Sequence, residues 1–383
     1  MASDAVEQFR IDIPQEVLDD LRRRLEAARL PDQPDDFGWD YGTELSYLKE
    51  LVAYWRDKFD WRTQEAALNA IPQFTTEIDG QRIHFLHARS PHADAHPILM
   101  SHGWPGTVVE FLKVIGPLTD PVAHGGSAQD AFHVVCPSLP GYGFSEVTHS
   151  RGWDTYRMAE AFAALMSRLG YERYGAQGGD WGAIITSNLG VLDAAHLSGI
   201  HVNMPFALPP PGGMESLSDA EKADMADYAA FEQNETGYQR IQGTKPQTLG
   251  FGLNDSPAGL AAWIAEKFRT WTDCDGEIER CISKDELLAN ITIYWVTQTI
   301  TSSTRLYYEV FKGGRLANLT TKVPVPTGVA RFPKEIMRFP RSWVENHYNV
   351  THWTEMPRGG HFAAMEQPEL FVEDVRAFFR TVR

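Results

Sequence analysis

The sequence predicts an α/β fold, a mostly parallel sheet covered by helices, with a helical insertion and an N-terminal helical appendage. Three observations point there. From about residue 74, short apolar runs ending in turn residues alternate with helical stretches, as strands joined by crossover helices do. The alternation stops at Pro209-Pro210-Pro211-Gly212-Gly213 and resumes only beyond a long helix-rich stretch dense in Trp and Tyr. Ahead of the first strand lie two amphipathic stripes. With 383 residues, 43% apolar and 11% aromatic, the chain can bury a sizeable core.

The first stripe, within residues 9–30, carries Val17, Leu18, Leu21, Leu25 and Ala28 at helical spacing, with Pro14 near its start. The second runs through Leu45, Leu48, Leu51, Val52 and Trp55, and Phe59 and Trp61 then lead toward Phe74. Packing against the main domain explains both better than a binding role. Residues 75–78 and 83–86 read as a hairpin, because Asp79-Gly80 supplies the positive φ angles of a tight turn. Residues 97–101 and 133–137 read as strands; 108–115 and 157–169 read as helices. Val323 to Val325 resumes the sheet, and a helix over 368–380 closes the chain. The expected division is 1–90 for the appendage and its lead into the first strands, 91–204 and 319–383 for the core, and 205–318 for a helical lid.

Bulk properties narrow the function. A formal charge of −16 argues against nucleic acid or an anionic membrane as partner and favours a small molecule; a homodimer is left open. Cys136, Cys274 and Cys281 are an odd number without metal-like spacing, so reduced thiols and no metal or cofactor are expected. The longest apolar runs, such as 260–264, fall far short of the ~18–20 residues of a membrane helix. The N-terminus has neither the basic start nor the apolar centre of a signal peptide, and a cytoplasmic protein is expected.

The chemistry centres on Gly178-Gly179-Asp180-Trp181-Gly182, between an expected strand and a helix over 183–189. This fits the strained strand-turn-helix elbow that presents the nucleophile of α/β-hydrolases, here an Asp. A carboxylate needs no base for its first attack, and its weakness suits a strained carbon or one bearing a good leaving group. His102-Gly103-Trp104-Pro105-Gly106 follows the 97–101 strand and offers the backbone N–H of Trp104, which with that of Trp181 would form an oxyanion hole. Arg358-Gly359-Gly360-His361-Phe362, before the last helix, stands where this fold places its base. An acid must orient that base, and no Asp occurs between Asp285 and Asp374. Of Glu309, Glu335, Glu345 and Glu355, only Glu335 closely follows the resumed strand; Glu345 is the fallback.

On these motifs the chain resembles the microsomal-type epoxide hydrolase family over nearly its whole length. Also similar are the opening Phe9-Arg10-Ile11-Asp12-Ile13-Pro14, the run Pro137-Ser-Leu-Pro-Gly-Tyr-Gly-Phe-Ser145, Leu253-Asn-Asp-Ser-Pro257 and residues 302–309. The resemblance implies that Asp180 opens an epoxide to form an alkyl-enzyme ester, that Glu335 orients His361, which activates water, and that two lid tyrosines bond the epoxide oxygen. By motif these are Tyr238 and Tyr307, with Tyr308 next to the latter. A phenol with pKa ~10 can donate to a leaving alkoxide while neutral at pH 7. Trp104, Trp181, Trp263, Trp271 and Tyr308 are expected to line a pocket for a bulky or aryl epoxide. Membrane-bound members carry an anchor ahead of the appendage, and this chain begins almost at the appendage, so a soluble protein is expected. A haloalkane dehalogenase shares the Asp and His but commonly has a halide-binding Asn where Trp104 stands. An inactive hydrolase-fold binding protein is the alternative from another class.

Overall fold

In the computed structural model, residues 5–313 and 321–383 are described. The expected lid-core boundary at 318/319 lies outside the described residues. Nine strands form one sheet: β1 Glu7–Phe9, β2 Gln73–Ile78, β3 Gln81–Ala88, β4 His96–Ser101, β5 Phe132–Pro137, β6 Tyr174–Gly178, β7 Leu197–Val202, β8 Val323–Arg331 and β9 Tyr348–Glu355. Their order is β1-β2-β3-β5-β4-β6-β7-β8-β9. β1, β2, β3 and β5 pair antiparallel, and every pairing from β5 through β4 to β9 is parallel.

The hairpin forms with Ile78 opposite Gln81, and Asp79 and Gly80 take φ of 52° and 71°. Helices Thr155–Arg168, Trp181–Leu192 and Pro368–Phe379 cover the sheet. The four central strands β4, β5, β6 and β7 bury nearly every side chain, which is why their sequences read as short apolar runs rather than as alternation.

Between β7 and β8 stands a set of helices that begins with Asp219–Asn234 and ends with Ile300–Lys312. The N-terminal helices Gln15–Glu26 and Leu45–Asp57 pack on this insertion, chiefly on Pro257–Trp271, rather than on the sheet alone. Polar contacts fix the join: Thr43 Oγ1 donates to Ala262 O at 2.7 Å and the Tyr54 hydroxyl to Asp285 Oδ1 at 3.0 Å. Among the described residues no helix is long and apolar enough to cross a membrane. Cys136, Cys274 and Cys281 are free.

Candidate active site

Asp180 follows β6 and adopts φ 50°, ψ −131° at the start of helix Trp181–Leu192. For a non-glycine residue such a conformation is strained, at a cost of roughly 1–3 kcal/mol. It is sustained by close packing beneath: a Cβ on Gly182 would lie 2.0 Å from the Ser101 carbonyl oxygen, so only glycine lets the helix approach β4. The loop after β4 closes on the carboxylate, with Trp104 N–H donating to Asp180 Oδ1 at 2.8 Å. The Trp181 N–H makes no such bond among the described residues, so the expected pair is half engaged. His102 braces the loop, its Nδ1–H donating to Gly103 O at 2.9 Å while Nε2 accepts from Leu139 N–H at 3.2 Å. Burial pushes its pKa down to about 4, in keeping with a neutral ring.

The other oxygen, Asp180 Oδ2, lies 3.3 Å from His361 Nε2, and His361 Nδ1 is 2.5 Å from Glu335 Oε1. Glu335 is on the turn after β8 and His361 on the loop after β9, so the three side chains meet at the carboxyl ends of parallel strands. Burial alone would depress the His361 pKa, but Glu335 and Asp180 outweigh it and hold the pKa well above the usual imidazole value. Glu345 lies on helix Arg341–His347, exposed and paired with Arg341 at 2.7 Å.

The His361 loop is anchored to the insertion. His361 N–H donates to Trp271 O at 2.9 Å, and Gly359 N–H to Asp273 Oδ2 at 2.8 Å. The buried Glu366 carboxylate accepts from the N–H groups of Asp273, Gly360 and Phe362 at 2.8–3.0 Å.

Above Asp180 the insertion supplies aromatic walls. Tyr238 stacks on Trp104 with ring centroids 5.3 Å apart, and Tyr307 stands edge-on to Trp181 at 4.8 Å and to Trp104 at 5.8 Å. Both phenols are buried, and desolvation followed by nearby negative charge raises their pKa values well above 10. Tyr308, one position on, is half-buried and shares none of these ring contacts. Trp271 is fully buried, edge-on to His361 at 5.0 Å and 5.4 Å from Tyr238. Trp263 lies further out. It donates to Gln242 Oε1 at 3.0 Å and lines a groove of ≈ 1360 Å³ that reaches Tyr238. That groove carries more charge than an apolar pocket would, with Glu235, Glu266, Lys267 and Asp273 on its walls, and residues 36–42 of the N-terminal region close one side. The part played by 36–42 had no signal in the sequence, and neither did Lys267, a buried ammonium 4.6 Å from the Tyr238 ring centre.

A mostly parallel open sheet with an Asp on the strained strand-to-helix turn after β6, a histidine bonded to a glutamate beside it and a helical insertion before β8 defines an α/β-hydrolase fold. A family model for the epoxide hydrolase N terminus matches residues 6–111, and one for the α/β-hydrolase fold matches 96–241. Epoxide hydrolase 1 of Sus scrofa is 42% identical, over 98% of this chain and 88% of its own. The juvenile hormone epoxide hydrolase of the silkworm Bombyx mori superposes with a TM-score of 0.92 at 32% identity, covering 100% of this chain and 96% of that one. The Aspergillus niger epoxide hydrolase gives 0.89 at 34% identity, covering 100% and 98%. The chain belongs to the microsomal-type epoxide hydrolase family.

Proposed function

We propose that the chain converts an epoxide and water into a vicinal diol in two half-reactions, with the helices of 205–318 acting as a lid over the site. The observation that carries this is the setting of Asp180: one oxygen held by the Trp104 N–H, the other facing His361, beneath two buried phenols. In the first half-reaction Asp180 Oδ2 bonds to a ring carbon, the carbon–oxygen bond of the ring breaks, and Tyr238 and Tyr307 donate to the departing oxygen. Phenols this far above their usual pKa stay neutral and remain donors. Ester formation removes the charge of Asp180, one of the two carboxylates that hold the proton on His361. The proton goes to the alkoxide, and the imidazole is left free to act as base when water must attack.

In the second half-reaction water bonds to the ester carbon and gives a proton to His361 Nε2. The developing oxyanion faces the N–H groups of Trp104 and Trp181. The ester bond to the diol breaks, the alkoxide takes the proton from His361, and the proton left on Asp180 passes to His361, restoring the ion pair. Glu335, through Nδ1, orients the ring throughout.

Trp104, Trp181 and Trp271 around the phenols, with the wide groove beyond, support a bulky or aryl epoxide as substrate. Turnover of styrene oxide to its diol, lost in Asp180→Ala, tests the activity. If only small polar epoxides were turned over, the reading of the aromatic walls would be wrong.

A further inference from the structure

Beside Asp180 is a small cavity bounded by Glu110, Gln177, Gly179, Asp180, Asn203 and His361, among others. Its volume is ≈ 10 Å³ of space for water centres. About 10–15 Å³ on that measure holds a single water, provided that polar partners surround it. They do here. Gln177 is 1% exposed; its Nε2 donates to Asn203 Oδ1 at 3.1 Å, while its Oε1 is buried with no partner. Glu110 belongs to the short 3-10 turn Val108–Phe111. It is half-buried and lines this cavity together with Asp180 and His361.

No step of the reaction derived so far uses Glu110, yet it is unusual. Its carboxyl has no cationic side chain as a salt-bridge partner among the described residues, and burial pushes its pKa up to about 8, with His361 opposing the shift and Asp180 adding to it. At neutral pH it is a neutral acid, able both to donate and to accept a hydrogen bond. The Gly103 backbone N–H also donates to it.

We infer that Glu110 positions the hydrolytic water, holding it in this cavity between its own carboxyl, Gln177 Oε1 and His361, beside the carboxyl carbon of Asp180. This rests on the ester mechanism proposed above. The step is the second half-reaction: the water oxygen bonds to Asp180 Cγ, its proton goes to His361 Nε2, and the ester bond then breaks with that proton passing to the diol oxygen. Glu110 neither gains nor loses a proton. It acts through the water, which makes it a positioning residue, and it should matter only after the ester has formed.

Single-turnover kinetics with styrene oxide, quenched and read by intact-protein mass spectrometry, separate the two steps in Glu110→Gln and Glu110→Ala. In Glu110→Ala, ester formation should stay within about twofold of the unmodified enzyme while ester hydrolysis slows by roughly tenfold or more, so that the adduct accumulates. Glu110→Gln, a neutral isostere, should recover most of the hydrolysis rate at pH 7. It should also lose a pH limb. Above about pH 8 ionised Glu110 puts a charge beside the oxyanion and holds the proton on His361, so hydrolysis by the unmodified enzyme should fall there and that by Glu110→Gln should not. Unchanged hydrolysis in Glu110→Ala, equal loss in both steps, or an alkaline limb that persists in Glu110→Gln would overturn the inference. Absence of any adduct on Asp180, even in His361→Gln, would instead sink the ester mechanism beneath it.

Discussion

On the mechanism proposed above, Asp180 is spent in the first half-reaction and His361 acts in the second, so variants at these two residues pull the steps apart. In His361→Gln the ring should still open, but no base is left to deprotonate water. Intact-protein mass spectrometry should show an adduct equal to the whole epoxide, mapped to Asp180; a dehalogenase would add its substrate less hydrogen halide. An inactive variant without adduct would remove Asp180 or His361 from its role. The same mechanism assigns the phenols to the first step. Tyr238→Phe or Tyr307→Phe should slow ester formation by roughly 10²-fold and leave hydrolysis nearly unchanged, with Tyr308→Phe close to neutral by stopped flow. Asp180 and His361 were legible in the sequence because glycines flank them, and glycine marks places where backbones must approach. Glu335 came from chain order and the lack of a competing Asp. Glu110 left no mark: an acidic residue in a short helical stretch looks like any solvated one, and only the fold brings it to the cavity beside Asp180.

The elements repeat this lesson one level up. The Asp79-Gly80 hairpin, the buried strands β4 and β5 and the last helix all follow from local signals, turn chemistry and apolar runs. β9 did not, because it lies at the end of the sheet and most of its side chains keep contact with solvent. β1 is only three residues long, and in sequence helix Trp61–Asn69 reads as an aromatic connection. β8 runs on to Arg331 through Pro324 and Pro326; the register slips against β9 between Val323 and Pro326, which accommodates residues that cannot donate to a ladder. The join between the lid and the His361 loop makes a prediction at this scale. A Cβ on Gly360 would lie 2.6 Å from Trp271 O and 3.0 Å from Asp273 N, so Gly360→Ala must push the loop and the lid apart. A shift of that size at the base should cut kcat by about 100-fold, while overpacking costs only about 1–3 kcal/mol of stability. Activity and Tm measured together check this. Equal and small effects on both would mean that the contact is not what places His361.

For the whole molecule, acid is the weak side. His84, His87 and His102 are all buried, and desolvation lowers their pKa values to about 3, 4 and 4. His84 illustrates why neutrality suits the interior, its two nitrogens bonded to Ser138 Oγ and Gln73 Oε1 at 2.9 Å. In the unfolded chain these rings protonate near pH 6.5, so as pH falls the unfolded state binds protons that the folded state refuses. Stability is therefore intact above about pH 6.5 and is lost between 6.5 and 4, by about 1.4 kcal/mol per pH unit for each histidine. Thermal melts across that window should show Tm dropping steeply; a flat Tm would mean that the three rings are not neutral in the fold. The bond from His361 N–H to Trp271 O bears on molecular traffic as well. Because that end of the cap is fastened to the catalytic base, the cap cannot swing away there without dismantling the machinery it covers. The groove that reaches Tyr238 opens beside this same fastened end, with Asp273 on its wall, and residues 36–42 form one jamb of it, so that an N-terminal segment remote from any bond making or breaking bounds what that doorway admits.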